Sequence, residues 1–257
     1  MNRKETMLPR VKTTLTVSGS NRDTYMDFRI IIHFIAAVTF WFALYYDYNH
    51  VRIPEQIHRM GNNFGGKFKF LTFLDAIIQA VYFTISLVND FLGSNEVSPI
   101  QVPLIRKIKD YLMASLAFPV AMNVGISFWS LMAIDRELVF PKAFDAFFPG
   151  WLNHIMHTNI MIFIILELFI SFRAYPKRRK GLLGLTVFMI SYLIWIHVIK
   201  YYSGVWVYPV LDVLNFPLRL AFFVLILAIT LSLYILGEFL NSRIWAKELK
   251  QLSKKSN

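Results

Sequence analysis

The chain has 257 residues, 56% of them hydrophobic and only 17% charged, and 27 Lys and Arg against 16 Asp and Glu leave a net charge of +11. A soluble domain of this size is about half apolar and about a quarter charged, so the composition is that of a polytopic membrane protein. Cysteine is absent, which excludes disulfides, thiolate metal centres, a cysteine nucleophile and palmitoylation. The basic residues flank apolar blocks, so their expected partners are anionic membrane lipids rather than nucleic acid.

Residues 1–27 are polar and basic without periodicity and read as a mobile tail. Six apolar blocks follow, at 28–46, 70–92, 111–134, 150–172, 181–203 and 216–240. Each has about twenty residues, which at about 1.5 Å per residue crosses a hydrocarbon core of roughly 30 Å. Helices are expected because unpaired backbone groups are too costly in lipid. The first block is long and no small-residue cleavage signal follows it, so it reads as a signal anchor. The spacing predicts an all-α bundle of six transmembrane helices over 28–240, with a basic tail at 241–257.

Six spans place both ends on one side. The connections on that side, 1–27, 93–110, 173–180 and 241–257, carry five, three, five and five Lys or Arg, eighteen in all. The opposite loops, 47–69, 135–149 and 204–215, carry four, two and none, six in all. The positive-inside rule therefore puts both termini in the cytoplasm, with the chain in the endoplasmic reticulum or plasma membrane.

Ionisable residues inside a span are costly and mark function. On this topology Thr72, Asp75 and Gln79 lie near the outer end of span two, His154 and His157 near that of span four, and His197 and Lys200 near that of span five. Arg219 opens span six, and Asp135, Arg136 and Glu137 follow span three. Spacings of three and four put each set on one helix face, and each face is expected to turn into the bundle. Glu167 and Glu238 lie deeper or towards the cytoplasm, outside this collection. The bland readings are that a membrane Thr bonds its own helix's carbonyl, that a span His is a structural hydrogen bonder, that Lys200 and Arg219 snorkel to headgroups, and that GVWVYP at 204–209 is an interfacial aromatic turn.

Several stretches carry a resemblance: KFLTFLD (69–75), LAFPV (116–120), DRE with VFPK (135–142), PGWLNHIMHT (149–158), GVWVYP (204–209) and LGEFLN with IW (236–245). In order and spacing, over about residues 65–245, they resemble the androgen-induced-gene-1 family, which includes the androgen-dependent TFPI-regulating proteins. The resemblance implies a multi-pass membrane hydrolase of fatty acid esters of hydroxy fatty acids, using a threonine and a histidine and no cofactor. It places the threonine of KFLTF at Thr72 and the second histidine of NHIMHT at His157, and the substrate is a lipid with long acyl chains. The chemistry implied is acyl transfer, with His157 as base and then acid. An orienting partner for His157 is open among Asn153, His154 and Asp75.

Two rival readings come from the residues. His154, His157, His197 and Asp75 make a ligand set for a zinc-dependent lipid amidase, and polar groups on several helices suit a proton-coupled transporter or channel. One tension is geometric. Thr72 stands about two residues into its span and His157 about seven, a depth difference of about 7 Å. Tilt, or an earlier start of span two near Phe64–Gly66, would remove it.

Overall fold

The computed structural model describes the backbone of residues 19–54 and 64–256. Among them every regular element is helical. The helices are α1 (Gly19–His50), α2 (Leu71–Leu92), α3 (Leu104–Ile134), α4 (Gly150–Ile170), α5 (Arg178–Ser203), α6 (Phe216–Ile244) and a short basic α7 (Ala246–Ser256). The first six are each long and apolar enough to cross a membrane, as the periodless apolar blocks of the sequence require.

The boundaries differ from the sequence reading in three places. Helix α1 begins at Gly19, so the last part of the expected tail is helical, while residues 1–18 lie outside the described ones. Helix α3 begins at Leu104, because Arg106, Lys109 and Asp110 are buried among polar partners rather than left in a loop. The C-terminal tail is helical too, α6 reaching Ile244 and α7 continuing to Ser256.

Two spans contain a π turn. In α3 it covers Met113–Ala117, immediately before Pro119. The proline ring cannot accommodate a regular i→i−4 ladder, and the chain widens to an i→i−5 bond from the Phe118 amide to the Met113 carbonyl. In α4 it covers Ile155–Asn159 and holds His157; such turns recur at functional sites.

Packing gathers the buried apolar residues into two main cores and a small third cluster of Phe128, Phe140 and Phe144. Phe40, Phe83, Met113, Phe118, Leu152 and Ile160 form one among α1–α4. Val120, Leu185, Ile196, Trp206, Leu211 and Tyr234 form the other among α3, α5, α6 and the loop between the last two. Lipid is as apolar as leucine, so close packing rather than water exclusion must hold such helices together. Close approach is visible at Gly237 of α6, where a Cβ would lie 2.8 Å from the Phe118 ring and 2.6 Å from the Tyr175 hydroxyl. The outer faces of α5 and α6 keep large apolar residues exposed, among them Leu183, Val187, Leu220 and Val224.

Polar side chains gather at both ends of the bundle. One group lies where α2, α4 and α6 begin and is described below. At the other end His33 stands between two buried carboxylates, Nδ1 2.6 Å from Asp90 and Nε2 2.8 Å from Glu167. Tyr82 donates to Glu167 at 2.6 Å and Arg29 to Asp90 at 2.9 Å. The two carboxylate partners of His33 are 57 and 134 positions away in sequence, which hid this contact from sequence reasoning. Between the two ends α4 contributes the fully buried Ile160 and Ile164.

Candidate active site

Thr72 is the second residue of α2, and the start of that helix is fixed from outside. Gly65 and Gly66 have φ of 88° and 52°, a left-handed pair open to glycine at little cost, and they turn the chain into a 3-10 turn at Gly66–Lys69. No side chain of the chain's own preceding turn caps α2. Its first amide, Leu71, is instead accepted by the phenol oxygens of Tyr192 at 3.0 Å and Tyr208 at 2.9 Å, which satisfies one of the amides a helix start leaves unpaired. Burial, with the like charge of Lys67 behind it, lowers the neighbouring Lys69 ammonium to about 8.

His157 comes from the π turn of α4 and is 6% exposed. Its Nε2 lies 3.2 Å from Thr72 Oγ1. Its Nδ1 lies 3.0 Å from the backbone oxygen of Asn153. A carbonyl only accepts, so Nδ1 carries the hydrogen, and in neutral imidazole the lone pair is then on Nε2, facing the threonine hydroxyl. Phe128 of α3 stacks on the ring at 3.6 Å between centroids and 13° between planes, and Trp129 donates to the His157 carbonyl at 3.2 Å. The imidazole is thus held on one face and at one nitrogen, with the other nitrogen aimed at a hydroxyl.

The contact settles the depth tension. Helix α2 does not start early; it begins at Leu71 after the 3-10 turn. Helix α4 begins further out, so a residue eight positions into it stands level with one two positions into α2.

Two cavities meet at Thr72. The larger, about 580 Å³, runs from Leu71 and Thr72 between α3, α5 and α6 and is walled by Val124, Leu131, Met189, Ile196 and Phe223. It reaches the outer face of the bundle, since Ile190, Leu220 and Val224, all exposed, also line it. The smaller, about 100 Å³, holds His157 together with Phe140, Phe144 and Phe148, and Lys67 paired with Asp47 at 2.7 Å. Thr72, Phe128 and Tyr208 line both.

Other expected members of the site fall elsewhere. Asp75 is fully buried, but its Oδ1 accepts from Gln79, whose amide also donates to the Ala117 carbonyl of the α3 π turn. The pair therefore ties α2 to α3. His154 does not turn inward with His157; it is exposed, stacks on Trp129 and lies 3.2 Å from the Thr158 hydroxyl. A separation of three puts two residues about 60° apart on a helix, enough for one to leave the interface. His197 is likewise exposed, its Nδ1 on the Leu193 carbonyl, and it lines the larger cavity but not the one that holds His157. No group of three or more His, Asp or Glu side chains is placed to hold a metal among the described residues, so the ligand set His154, His157, His197 and Asp75 is not assembled.

Lys200 and Arg219 are held by backbone carbonyls. Lys200 donates to the Gly204 carbonyl at 2.7 Å, and Arg219 to those of Leu211 and Leu214 at 2.9 and 2.7 Å, both over the Trp206 ring. They clamp the GVWVYP loop, which is folded inward, with Trp206 and Val207 buried, rather than lying at an interface as an aromatic belt. Sequence reasoning missed Phe128, Tyr192 and Tyr208. Only the polar hydroxyls of the two tyrosines in apolar surroundings could have flagged them.

A six-span helical bundle with a threonine–histidine pair opening on an apolar cavity defines a multi-pass integral membrane protein with a candidate nucleophile and base. The family described as FAR-17a/AIG1-like protein matches residues 28–242, and the chain belongs to it. It is 37% identical over 205 residues to the androgen-induced gene 1 protein of Homo sapiens, covering 77% of this chain and 84% of that one. It is 33% identical over 227 residues to the androgen-dependent TFPI-regulating protein of Mus musculus, covering 88% and 97%. A Schizosaccharomyces pombe protein, named only as a membrane protein, is 24% identical over 85% of this chain and 91% of its own. No solved structure matches the chain.

Proposed function

We propose that the protein is an intramembrane lipid hydrolase that cleaves the ester bond of fatty acid esters of hydroxy fatty acids, with Thr72 as nucleophile and His157 as general base and acid. The observation that carries the reading is the 3.2 Å contact from Thr72 Oγ1 to the His157 nitrogen whose partner nitrogen is occupied by a carbonyl. A threonine hydroxyl is a weak nucleophile until a base is placed against it.

In this reading Thr72 Oγ1 adds to the ester carbonyl while its proton passes to His157 Nε2. The tetrahedral adduct collapses, the carbon–oxygen bond to the hydroxy acid breaks, and the departing oxygen takes the proton from His157. Water then adds to the threonine ester by the same route reversed, releasing the fatty acid. The cavity of about 580 Å³ accepts the acyl chain. Each CH₂ kept out of water is worth about 0.8 kcal/mol, so a site opening towards lipid avoids the cost of extracting a long chain. The basic stretch Lys177–Lys180 and α7 would meet anionic headgroups.

An activity-based fluorophosphonate tests the assignment. Full-length protein in lipid nanodiscs is expected to be labelled on the peptide containing Thr72, with labelling lost in Thr72→Ala and competed by the ester. Labelling at another hydroxyl, or undiminished labelling in Thr72→Ala, overturns it.

A further inference from the structure

The amide of Leu71, the phenols of Tyr192 and Tyr208 and the carbonyl of Lys69 form one small hydrogen-bond group beside Thr72. Leu71 donates to both phenol oxygens. Tyr192 donates to the Lys69 carbonyl at 3.0 Å, and the two phenol oxygens are 2.9 Å apart. The hydrogens can be counted. The amide only donates, the carbonyl only accepts, and each phenol has one hydrogen. That of Tyr192 is committed to Lys69, so the bond between the phenols uses the hydrogen of Tyr208. This hydrogen alone in the group serves an acceptor that is already satisfied, since Tyr192 receives the Leu71 amide. Rotation about the Tyr208 carbon–oxygen bond frees it with every other donor and acceptor of the group still paired.

The position of Tyr208 gives that hydrogen a use. Its side chain lines both cavities that meet at Thr72, the one that holds His157 and the apolar one. It is bonded to the residue preceding the nucleophile. Burial raises its phenol above the ordinary tyrosine range, which keeps the hydrogen in place at neutral pH. The clamp of Lys200 and Arg219 on Trp206 fixes the loop that carries it.

We propose that Tyr208 is the oxyanion donor of the site, its phenol hydrogen turning from Tyr192 to the ester's carbonyl oxygen as Thr72 adds. The proposal rests on the hydrolase reading above. In the step, the Thr72 oxygen–carbon bond forms, the carbonyl π pair moves onto oxygen, and the threonine proton goes to His157. The phenol hydrogen stays on Tyr208 and bonds the new oxyanion, and it returns to Tyr192 when the carbonyl re-forms. Tyr192 is a positioning residue: with Tyr208 it holds the Leu71 amide, and it keeps that amide bound while the Tyr208 hydrogen is turned to the substrate.

The test uses full-length protein in phosphatidylcholine nanodiscs with a palmitoyl ester of hydroxystearic acid. Tyr208→Phe is expected to lower kcat by about 10²- to 10³-fold, the usual loss for one oxyanion donor, with KM held within about threefold. Tyr192→Phe keeps the donor and is expected to lose less than about tenfold. Difluorotyrosine at 208 keeps the hydroxyl but ionises at lower pH, so the alkaline limb of kcat/KM moves to lower pH; the same residue at 192 does not move it. A Tyr208→Phe enzyme within about threefold of the parent overturns the proposal, as do equal losses in both Phe variants with no movement of the alkaline limb. A parent protein that neither labels at Thr72 nor turns over the ester overturns the hydrolase reading, and the donor role with it.

Discussion

Removing Thr72 and His157 singly and together makes the sharpest prediction, because their contact makes the losses non-additive. In the proposed mechanism each group's contribution passes through the other across the 3.2 Å contact: the hydroxyl would be inert without the base, and the base would have no proton to take without the hydroxyl. In a comparable hydroxyl–imidazole hydrolase, loss of either member costs about 10⁶ in kcat and loss of both costs no more. The expected values here are therefore about 10⁶-fold for Thr72→Ala, about the same for His157→Ala, and about the same for the double variant. That is a barrier increase of about 8 kcal/mol in all three, against about 16 if the groups acted independently. Hydroxy acid released from a long-chain ester, quantified by mass spectrometry with protein in nanodiscs, covers the range down to background. Thr72 is half-buried and His157 buried, so folding of each variant is checked separately by its thermal midpoint. Independent, additive losses would refute the reasoning, as would a Thr72→Ala enzyme that retains a tenth of the parent rate.

Further expectations concern the surroundings of the pair. Asn153→Ala should keep kcat within about fivefold, because the group that orients His157 is a backbone carbonyl that the substitution leaves in place; a loss near the 10⁴ seen when an orienting carboxylate is altered would contradict this. His154→Ala should likewise be nearly silent in turnover, and a large fall would restore it to the site. Trp206→Ala removes the platform under Lys200 and Arg219 and should cost about 3 kcal/mol or more, read as a lower thermal midpoint together with reduced kcat. His33→Ala strips the group between Asp90 and Glu167 and should cost about 3–5 kcal/mol of stability while the folded fraction keeps its turnover; an unchanged midpoint would count against the contact.

The spans were legible because hydrocarbon imposes one rule everywhere: a run of about twenty apolar residues must be a helix. Their ends were not. Burial of Arg106, Lys109 and Asp110 extended α3 backwards, and such pairing depends on residues more than 60 positions away, such as the Phe172 and Ala174 backbone. Thr72 and His157 came from the resemblance, and spacing only put them in one leaflet. The orientation of His157 was opaque because a backbone carbonyl provides it, and every residue has one. Tyr192 and Tyr208 were opaque because their role depends on a single amide at the start of α2. Charged residues misled in the opposite sense: Lys200 and Arg219 looked like headgroup anchors, yet the loop carbonyls at 204, 211 and 214 claim them.

The larger cavity emerges between α5 and α6, the two spans with the smallest buried share. A substrate entering there arrives by lateral diffusion and never passes through bulk water. For the reaction proposed, the quantity that saturates the site is then the mole fraction of ester among the surrounding lipids, not its amount per litre. Diluting the ester with inert phospholipid at constant total ester would slow turnover, and adding more vesicles of the same composition would not hasten it.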